Sequence, residues 1–252
     1  LLALYASEAG QLRLLHQERF RSGEWSSLEP MLEAFLNKRP ADLPAPTHAC
    51  IAVAGPVRQS EARITNLPWR LREADLAKAA GTERLELVND FGVLIYGLPH
   101  FDGNQQVILQ KGHQDKGPVA ILGAGTGLGM ARGLQSERGL VALASEGGHR
   151  EFAPRNESEW ELACWLKQDL GISRLSIERI VSGTGLGHLA HWLLRKPDAT
   201  LHPLRSVAEA WRRNSSSDLP AQVSVAAEGG DPLMQRALQL WLEAYGACLL
   251  YT

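Results

Sequence analysis

Four alternating glycines, Gly123, Gly125, Gly127 and Gly129, occupy the run Ile121-Leu122-Gly123-Ala124-Gly125-Thr126-Gly127-Leu128-Gly129. An apolar stretch, Val119 to Leu122, leads straight into them. Glycine is costly inside a strand and is used where backbone takes positive φ or approaches something closely. Amides freed of side chains can turn several N–H groups inward and hold an anion, most often phosphate. Thr126 adds a hydroxyl among them. The dinucleotide fingerprint does not fit: the sixth residue is Leu128 counted from Gly123, Met130 from Gly125 and Arg132 from Gly127. The Gly-Lys-Ser/Thr ending of a P-loop is absent too. The competing reading is a glycine-rich hairpin that holds no ligand.

Phosphoryl transfer to an alcohol asks for backbone donors around the nucleotide phosphates, a divalent cation, and a carboxylate that takes the acceptor proton. A sugar acceptor adds several hydroxyls, read by Asp, Glu, Asn or His. The chain carries such groups outside the glycine run. Asn89-Asp90 supplies an amide and a carboxylate. Glu146 and His149 flank Gly147 and Gly148, a pair that would let a ligand come close. Glu178 precedes a second glycine pair, Gly183 and Gly185. Each has a plainer explanation by itself. Asn89-Asp90 can cap a helix, His149 can be a surface histidine, and Glu178 a solvated helix residue.

The elements that must position these groups follow from local pattern. Leu1–Tyr5 and Leu12–Glu18 read as a hairpin around Ser7-Glu8-Ala9-Gly10. Ser26 or Ser27 caps a helix with Leu28, Met31, Leu32, Phe35 and Leu36 on one face. His48–Ala54 reads as a buried strand ending at Gly55-Pro56, with Arg63–Thr65 a further strand and Asn66–Trp69 a turn. Arg72–Ala80 is a helix closed by Gly81. Leu85–Val88 is a strand that ends at Asn89-Asp90, and Phe91–Leu98 is helical. Polar residues at the carboxyl end of a strand, just before a helix, stand where α/β proteins place chemistry. Beyond a boundary at about residue 100, Val107–Leu109 and Val119–Leu122 read as strands. Leu128–Leu134 and Leu140–Leu143 form a second hairpin. Helices follow at Glu157–Asp169, from Gly183 to about Leu194, and over residues 232–247. Lys196–Asp218 has no clear pattern apart from a loop at Asn214–Asp218.

Composition narrows the function classes. The 252 residues suffice for a large core or two domains. A net charge of −2 gives no basic face for nucleic acid or an anionic membrane. No apolar run approaches the ~20 residues that span a bilayer, and no signal-peptide pattern opens the chain. Cys50, Cys164 and Cys248 match no metal spacing or disulfide framework. A cytoplasmic protein is the expectation, with no nucleic-acid or membrane partner.

Taken in series, these motifs resemble bacterial glucokinase, in the group without zinc of the hexokinase/actin-like ATPase clan. The resemblance rests on Ala-Gly-Pro at 54–56, Thr-Asn-x-x-Trp at 65–69, Asn-Asp-Phe at 89–91 and Gly-Ala-Gly-Thr-Gly-Leu-Gly at 123–129. It continues with Glu-Gly-Gly-His at 146–149, Phe-Ala-Pro at 152–154 and Glu-Arg-Ile-Val-Ser-Gly-x-Gly-Leu at 178–186. The resemblance implies a two-lobed α/β fold built on ribonuclease-H-like cores, divided into a smaller lobe over residues 1–100 and a larger one over 101–252, with substrates in the cleft. It implies ATP-dependent phosphorylation of D-glucose at the 6-hydroxyl, the first step of glycolysis, with ATP and Mg²⁺ as cofactors. Asp90 would be the general base. Asn66, Asn89, Glu146, His149 and Glu178 would bind the sugar together with Asp90. Gly123, Gly125, Thr126 and Gly127 would hold ATP phosphates. Arg150-Glu151-Phe152 follows the Gly-His where zinc-bearing relatives carry cysteines, so no structural metal is expected. A homodimer is the family expectation. The family's opening Asp-x-Gly-Gly-Thr-x-Ala-Arg loop and its closing adenosine segment do not match this chain. Truncation at both ends, with weak ATP binding and little turnover, is the corresponding expectation. The alternatives are a non-catalytic sugar-binding regulator of the same fold and a kinase for another hexose.

Overall fold

Alternating and helical apolar patterns resolve, in the computed structural model, into ten strands and eight α-helices among the described residues, which are 1–8, 11–64, 67–101, 103–113, 117–137, 139–214 and 218–250. The chain is mixed α/β and divides into two units, Leu1–Gln110 and Lys111–Thr252.

The first unit opens with β1 (Leu2–Glu8) and β2 (Gln11–Glu18), an antiparallel pair with a register shift between Leu4 and Tyr5. α1 (Leu28–Asn37) starts after Ser27 and buries Leu28, Met31, Leu32 and Phe35 at helical spacing. β3 (His48–Val53) lies parallel to β7 (Arg84–Asn89). Parallel neighbours need a long crossover. Here it carries β4 (Val57–Arg58), β5 (Glu61–Arg63), β6 (Arg70–Arg72) and α2 (Glu73–Ala80). β4, β5 and β6 form a small antiparallel sheet whose inward residues Ala62 and Leu71 are buried. At the β4–β5 turn Gln59 and Ser60 both take positive φ, the geometry of a two-residue hairpin loop. That conformation has a use: Ser60 O accepts the Glu73 N–H at 3.0 Å, one of the donors that the start of α2 leaves open. α2 ends on Gly81 at φ 61, a left-handed cap that glycine adopts without strain. α3 (Asp90–Gly97) follows β7 without a gap.

Two expectations fail in this unit. β3 is not a strand buried on both faces: only Val53 is buried, and the residues before it alternate between exposed and half-buried. Among the described residues its strand partner is β7, and its exposed residues, His48, Cys50 and Ala52, share one face. Val107–Leu109 is not a strand. Its side chains are 73–96% exposed, and no strand among the described residues pairs with it. Three apolar residues in a row carry a strand pattern but supply no partner. Thr65 and Asn66 lie outside the described residues.

The second unit begins with an antiparallel sheet in the order β10–β9–β8, made of β8 (Val119–Ala124), β9 (Leu128–Ser136) and β10 (Gly139–Ser145). Its core is organised on α5 (Gly183–Leu194), in which every residue from Gly185 to Leu194 is buried. A helix apolar around its whole circumference must be covered on all sides. The cover comes from α4 (Glu157–Leu170), α6 (Arg205–Asn214), α7 (Leu219–Glu228) and α8 (Pro232–Leu250), which deliver Leu162, Leu166, Ala208, Trp211, Val223, Met234 and Leu240 to one cluster. Each fully buried Leu or Met contributes about 1.5–3 kcal/mol relative to exposure. Gly187 admits the Trp211 ring, which would stand 2.7 Å from an added Cβ.

α5 also buries two histidines. His188 Nδ1 donates to Arg179 O at 3.0 Å; because a carbonyl only accepts, Nδ1 is the protonated nitrogen. Neither ring nitrogen of His191 has a hydrogen-bond partner among the described residues, and Glu209 Oε1 stands 3.6 Å from Nε2. Burial pulls both imidazoles below the usual histidine value, against the opposing pull of the Arg179 carbonyl on His188 and of Glu209 on His191. α6 and α7 were not legible in the sequence. α6 continues to Asn214, so the expected loop starts later than Asn214, and residues 215–217 lie outside the described ones. No helix among the described residues is long and apolar enough to cross a membrane.

Candidate functional site

The Asn89-Asp90 junction is built from both sides. Leu85 and Leu87 bury one face of β7 and so set the direction in which its end points. Asn89 then caps α3: its Oδ1 accepts the N–H groups of Phe91 and Gly92, both at 3.0 Å. Its Nδ2 donates to Gly55 O at 3.1 Å, just beyond the end of β3. Gly55 sits at φ 138, where an L side chain would be strained. The Ala-Gly-Pro motif therefore offers a carbonyl that locks the strand end in place. Most of the Asn89 amide is committed to this structural work, with one amide hydrogen left over. Asp90 is the first residue of α3 and is half-buried. Its Oδ1 accepts from Phe91 N at 3.0 Å. Its Oδ2 has no partner among the described residues.

The glycine run of the second unit is a tight hairpin. Gly123 pairs with Gly129 and Ala124 with Leu128, which leaves Gly125, Thr126 and Gly127 as the turn. Gly123 is thus a strand residue rather than part of the turn. Gly125 N donates to Gly127 O at 2.9 Å, and Gly125 O accepts from Gly183 N at 2.8 Å. The turn is thereby docked on the first residue of α5. Ser182 caps that helix by accepting the Gly185 N–H at 2.9 Å. None of the four glycines takes positive φ. The need for glycine is close approach at Gly127, where an added Cβ would fall 2.4 Å from Glu178 Oε2. The same Oε2 accepts the Leu128 N–H at 3.0 Å. The N–H groups of Thr126 and Gly127 have no partner among the described residues, and they lie next to a helix N-terminus. Free amides together with the positive end of a helix dipole suit an anion.

Glu146-Gly147-Gly148-His149 is a short turn packed on β9. Sequence reasoning gave the glycine pair the task of admitting a ligand, and the structure assigns that space to protein. An added Cβ on Gly148 would meet Leu128 O at 2.2 Å, and one on Gly147 would meet Met130 Sδ at 2.7 Å. The turn leaves Glu146 and His149 exposed side by side, with His149 Nε2 3.5 Å from Glu146 Oε2. Glu178 lies in a second short turn, Ile177–Arg179, zipped to the first. Phe152 N donates to Leu175 O at 2.8 Å and Ile177 N to Arg150 O at 2.9 Å. Arg174 donates to His149 O and pairs with Glu151 at 3.2 Å. Lys167 reaches the same Glu151 at 3.3 Å.

Leu128 is the residue that sequence reasoning missed most clearly. Its N–H holds Glu178 and its carbonyl abuts Gly148. It stands inside the glycine motif, but the motif gives no sign of these contacts, because both come from residues distant in the chain. α8 adds two more supports: Trp241 Nε1 donates to Ser182 O, and Tyr245 OH to Leu122 O, both at 3.0 Å. Within the second unit, Gly127, Thr126, Glu178, Glu146 and His149 thus belong to one bonded assembly. Asn89 and Asp90 stand together in the first unit, and Asn66 lies outside the described residues. Among the described residues no group of His, Cys, Asp or Glu side chains stands together as a cation site.

Comparison with known proteins gives a consistent result. A family model described as Glucokinase matches residues 1–249. A glucokinase of Nostoc sp. is 38% identical over 250 residues, spanning 96% of this chain and 72% of that protein. One of Synechocystis sp. is 36% identical over 245 residues, spanning 92% and 69%. Among solved structures, a glucokinase from an Antarctic psychrotroph matches with a TM-score of 0.75 at 27% identity, covering 98% of this chain and 72% of that one. A ROK family glucokinase from Streptomyces griseus, in complex with glucose and AMPPNP, shares the fold at a TM-score of 0.54 and 20% identity, over 94% of this chain and 71% of that one.

Proposed function

The chain belongs to the glucokinase family, and from that premise we propose how its residues carry out the ATP-dependent phosphorylation of D-glucose at the 6-hydroxyl. The observation that carries the reading is the Asp90 carboxylate, with one oxygen fixed by the Phe91 amide and the other free, at a strand end that Asn89 has locked. The free oxygen accepts the proton of the sugar 6-hydroxyl as that oxygen attacks the γ-phosphorus. The new O–P bond forms as the bond from the γ-phosphorus to the bridging oxygen breaks, and ADP leaves with the electron pair. Little covalent chemistry is asked of the protein beyond this proton transfer and the positioning of both substrates.

Glu146, His149 and Glu178 hold other sugar hydroxyls. Carboxylate acceptors make stronger hydrogen bonds to hydroxyls than neutral ones do. Asn89 donates its remaining amide hydrogen, and Asn66 completes the set. The turn Gly125-Thr126-Gly127, with Gly123 behind it, cradles the nucleotide phosphates through its free amides and the α5 N-terminus. Mg²⁺ enters as part of the nucleotide substrate, since this ion is commonly held by substrate phosphates and water with few protein ligands. The two-lobed arrangement, the cytoplasmic location and a homodimer belong to the same reading and rest on the family resemblance.

Asp90→Asn tests the assignment. The amide keeps the Oδ1 acceptor for Phe91 and loses the base. Turnover is expected to fall by about 10²–10⁴, with glucose KM changed by less than about threefold. Near-normal turnover would remove Asp90 from this role.

A further inference from the structure

Glu178, assigned above to a sugar hydroxyl, is also bonded to the edge of the phosphate turn, and we propose that this one carboxylate is the positioning residue that shapes the nucleotide site. This inference deepens the site reading above and rests on it for the identity of the two ligands. The geometry itself is independent of that reading. Oε2 accepts the Leu128 N–H at 3.0 Å, the first amide after the Gly125-Thr126-Gly127 turn. The same oxygen occupies the space that a Cβ on Gly127 would need. On its other side the turn is fixed by the bond from Gly183 N to Gly125 O at 2.8 Å. The turn therefore has two anchors, the α5 N-terminus and the Glu178 carboxylate. Removing the second leaves the Leu128 N–H without its acceptor and the Thr126 and Gly127 amides free to rotate away from an anion. Nothing in the bond to Leu128 uses Oε1, which remains for a sugar hydroxyl.

The consequence is a direct link between the substrates. A hydroxyl bound to Oε1 restricts the side chain whose Oε2 restricts the phosphate turn. Each ligand then tightens the other by the same factor, as linkage requires. The glycine at 127 belongs to this device, because a methyl group there would push the carboxylate off the Leu128 amide.

The experiment measures binary affinities of the purified full chain for AMPPNP with Mg²⁺ and for glucose, without turnover. Glu178→Ala is expected to weaken AMPPNP by about tenfold, the scale of one lost hydrogen bond to a charged group. Glu178→Gln keeps an oxygen acceptor for Leu128 and should hold AMPPNP affinity within about threefold of wild type, while glucose binding weakens in both variants. A loss of AMPPNP affinity confined to Ala and rescued by Gln is not what a general loss of structure would give. Gly127→Ala should weaken AMPPNP in the wild-type background and add little to Glu178→Ala, where the methyl group finds room. Should Glu178→Ala fail to fold, Gly127→Ala reads the same contact. Unchanged AMPPNP affinity in Glu178→Ala, or in Gly127→Ala if that variant stands in for it, overturns the bracing role, and a parallel loss of glucose affinity would leave the sugar reading standing. Weakened AMPPNP with intact glucose binding would do the reverse, retaining the brace and removing Glu178 from the sugar site.

Discussion

The two units solve the same problem, holding polar groups at a fixed place, in different ways. In Leu1–Gln110 the carboxylate proposed as the base, Asp90, sits at a junction of two elements, and one side chain, Asn89, does most of the holding. In Lys111–Thr252 the residues proposed to bind substrate lie in turns that touch one another through backbone, with Gly148 where an added Cβ would collide with the Leu128 backbone. A substitution at Asp90 can therefore change chemistry with little change of structure. In the second unit chemistry and packing cannot be separated so cleanly, since Glu178 and Gly148 both meet Leu128.

Beyond the loss of turnover expected at Asp90, the largest effect separating the units is steric. Gly148→Ala places a methyl group 2.2 Å from Leu128 O, a backbone atom that cannot swing away. The cost should be about 1–3 kcal/mol of stability, the usual scale of overpacking. Gly125→Ala meets nothing within 4 Å and should melt like wild type. Denaturant unfolding of the pair distinguishes a packed turn from a merely glycine-rich one. Equal midpoints would mean that the Gly148 turn is no more tightly packed than the Gly125 turn.

In the first unit, Asn89→Ala removes the α3 cap and the tie to Gly55. A loss of about 1 kcal/mol is expected, within the usual 0.5–2 for a capping residue. Local hydrogen exchange at Phe91 and Gly92 would report it, and unchanged protection there would show that the cap is not what fixes Asp90.

Acidification should act on the second unit through α5. His188 and His191 are held below their usual value by burial, so their neutral forms are favoured in the folded state. The unfolded chain then binds more protons than the folded one as pH falls. The stability these histidines contribute is complete above about 6.5 and declines as pH drops below that toward their lowered folded values. Thermal unfolding followed from pH 7.5 to 5 should show the decline, and His191→Phe should flatten it. The smallest effect belongs to the exposed segment of the first unit. Ile108→Ser should shift stability by less than about 0.5 kcal/mol, as at other exposed positions without partners.

The sequence made the local features of both halves legible and left the long-range ones hidden. A strand ending at Asn89-Asp90 before a helix follows from alternation and from capping chemistry, both of which act within a few residues. The hairpins at Leu2–Glu18 and Leu128–Ser145 follow for the same reason. The jobs of Gly127, Gly147 and Gly148 did not follow, because their neighbours are Glu178, Met130 and Leu128, and glycine gives no sign of what approaches it. α6 was hidden by charge: Val207, Ala208 and Trp211 make a short apolar stripe among Arg205, Glu209, Arg212 and Arg213. α7 buries just Leu219, Val223 and Ala227, with Ala226 half-buried beside them. Val107–Leu109 shows the opposite error, a β-like run that pairs with no strand among the described residues.

Phosphorus NMR of the wild-type chain with MgATP and glucose reads the transfer itself. ADP and a phosphomonoester on the 6-oxygen of glucose are expected in equal amounts, and neither forms when the sugar is left out. Saturable glucose binding with no ADP above the sugar-free control would contradict the proposed transfer, and would leave a protein of this family that holds its substrate without acting on it.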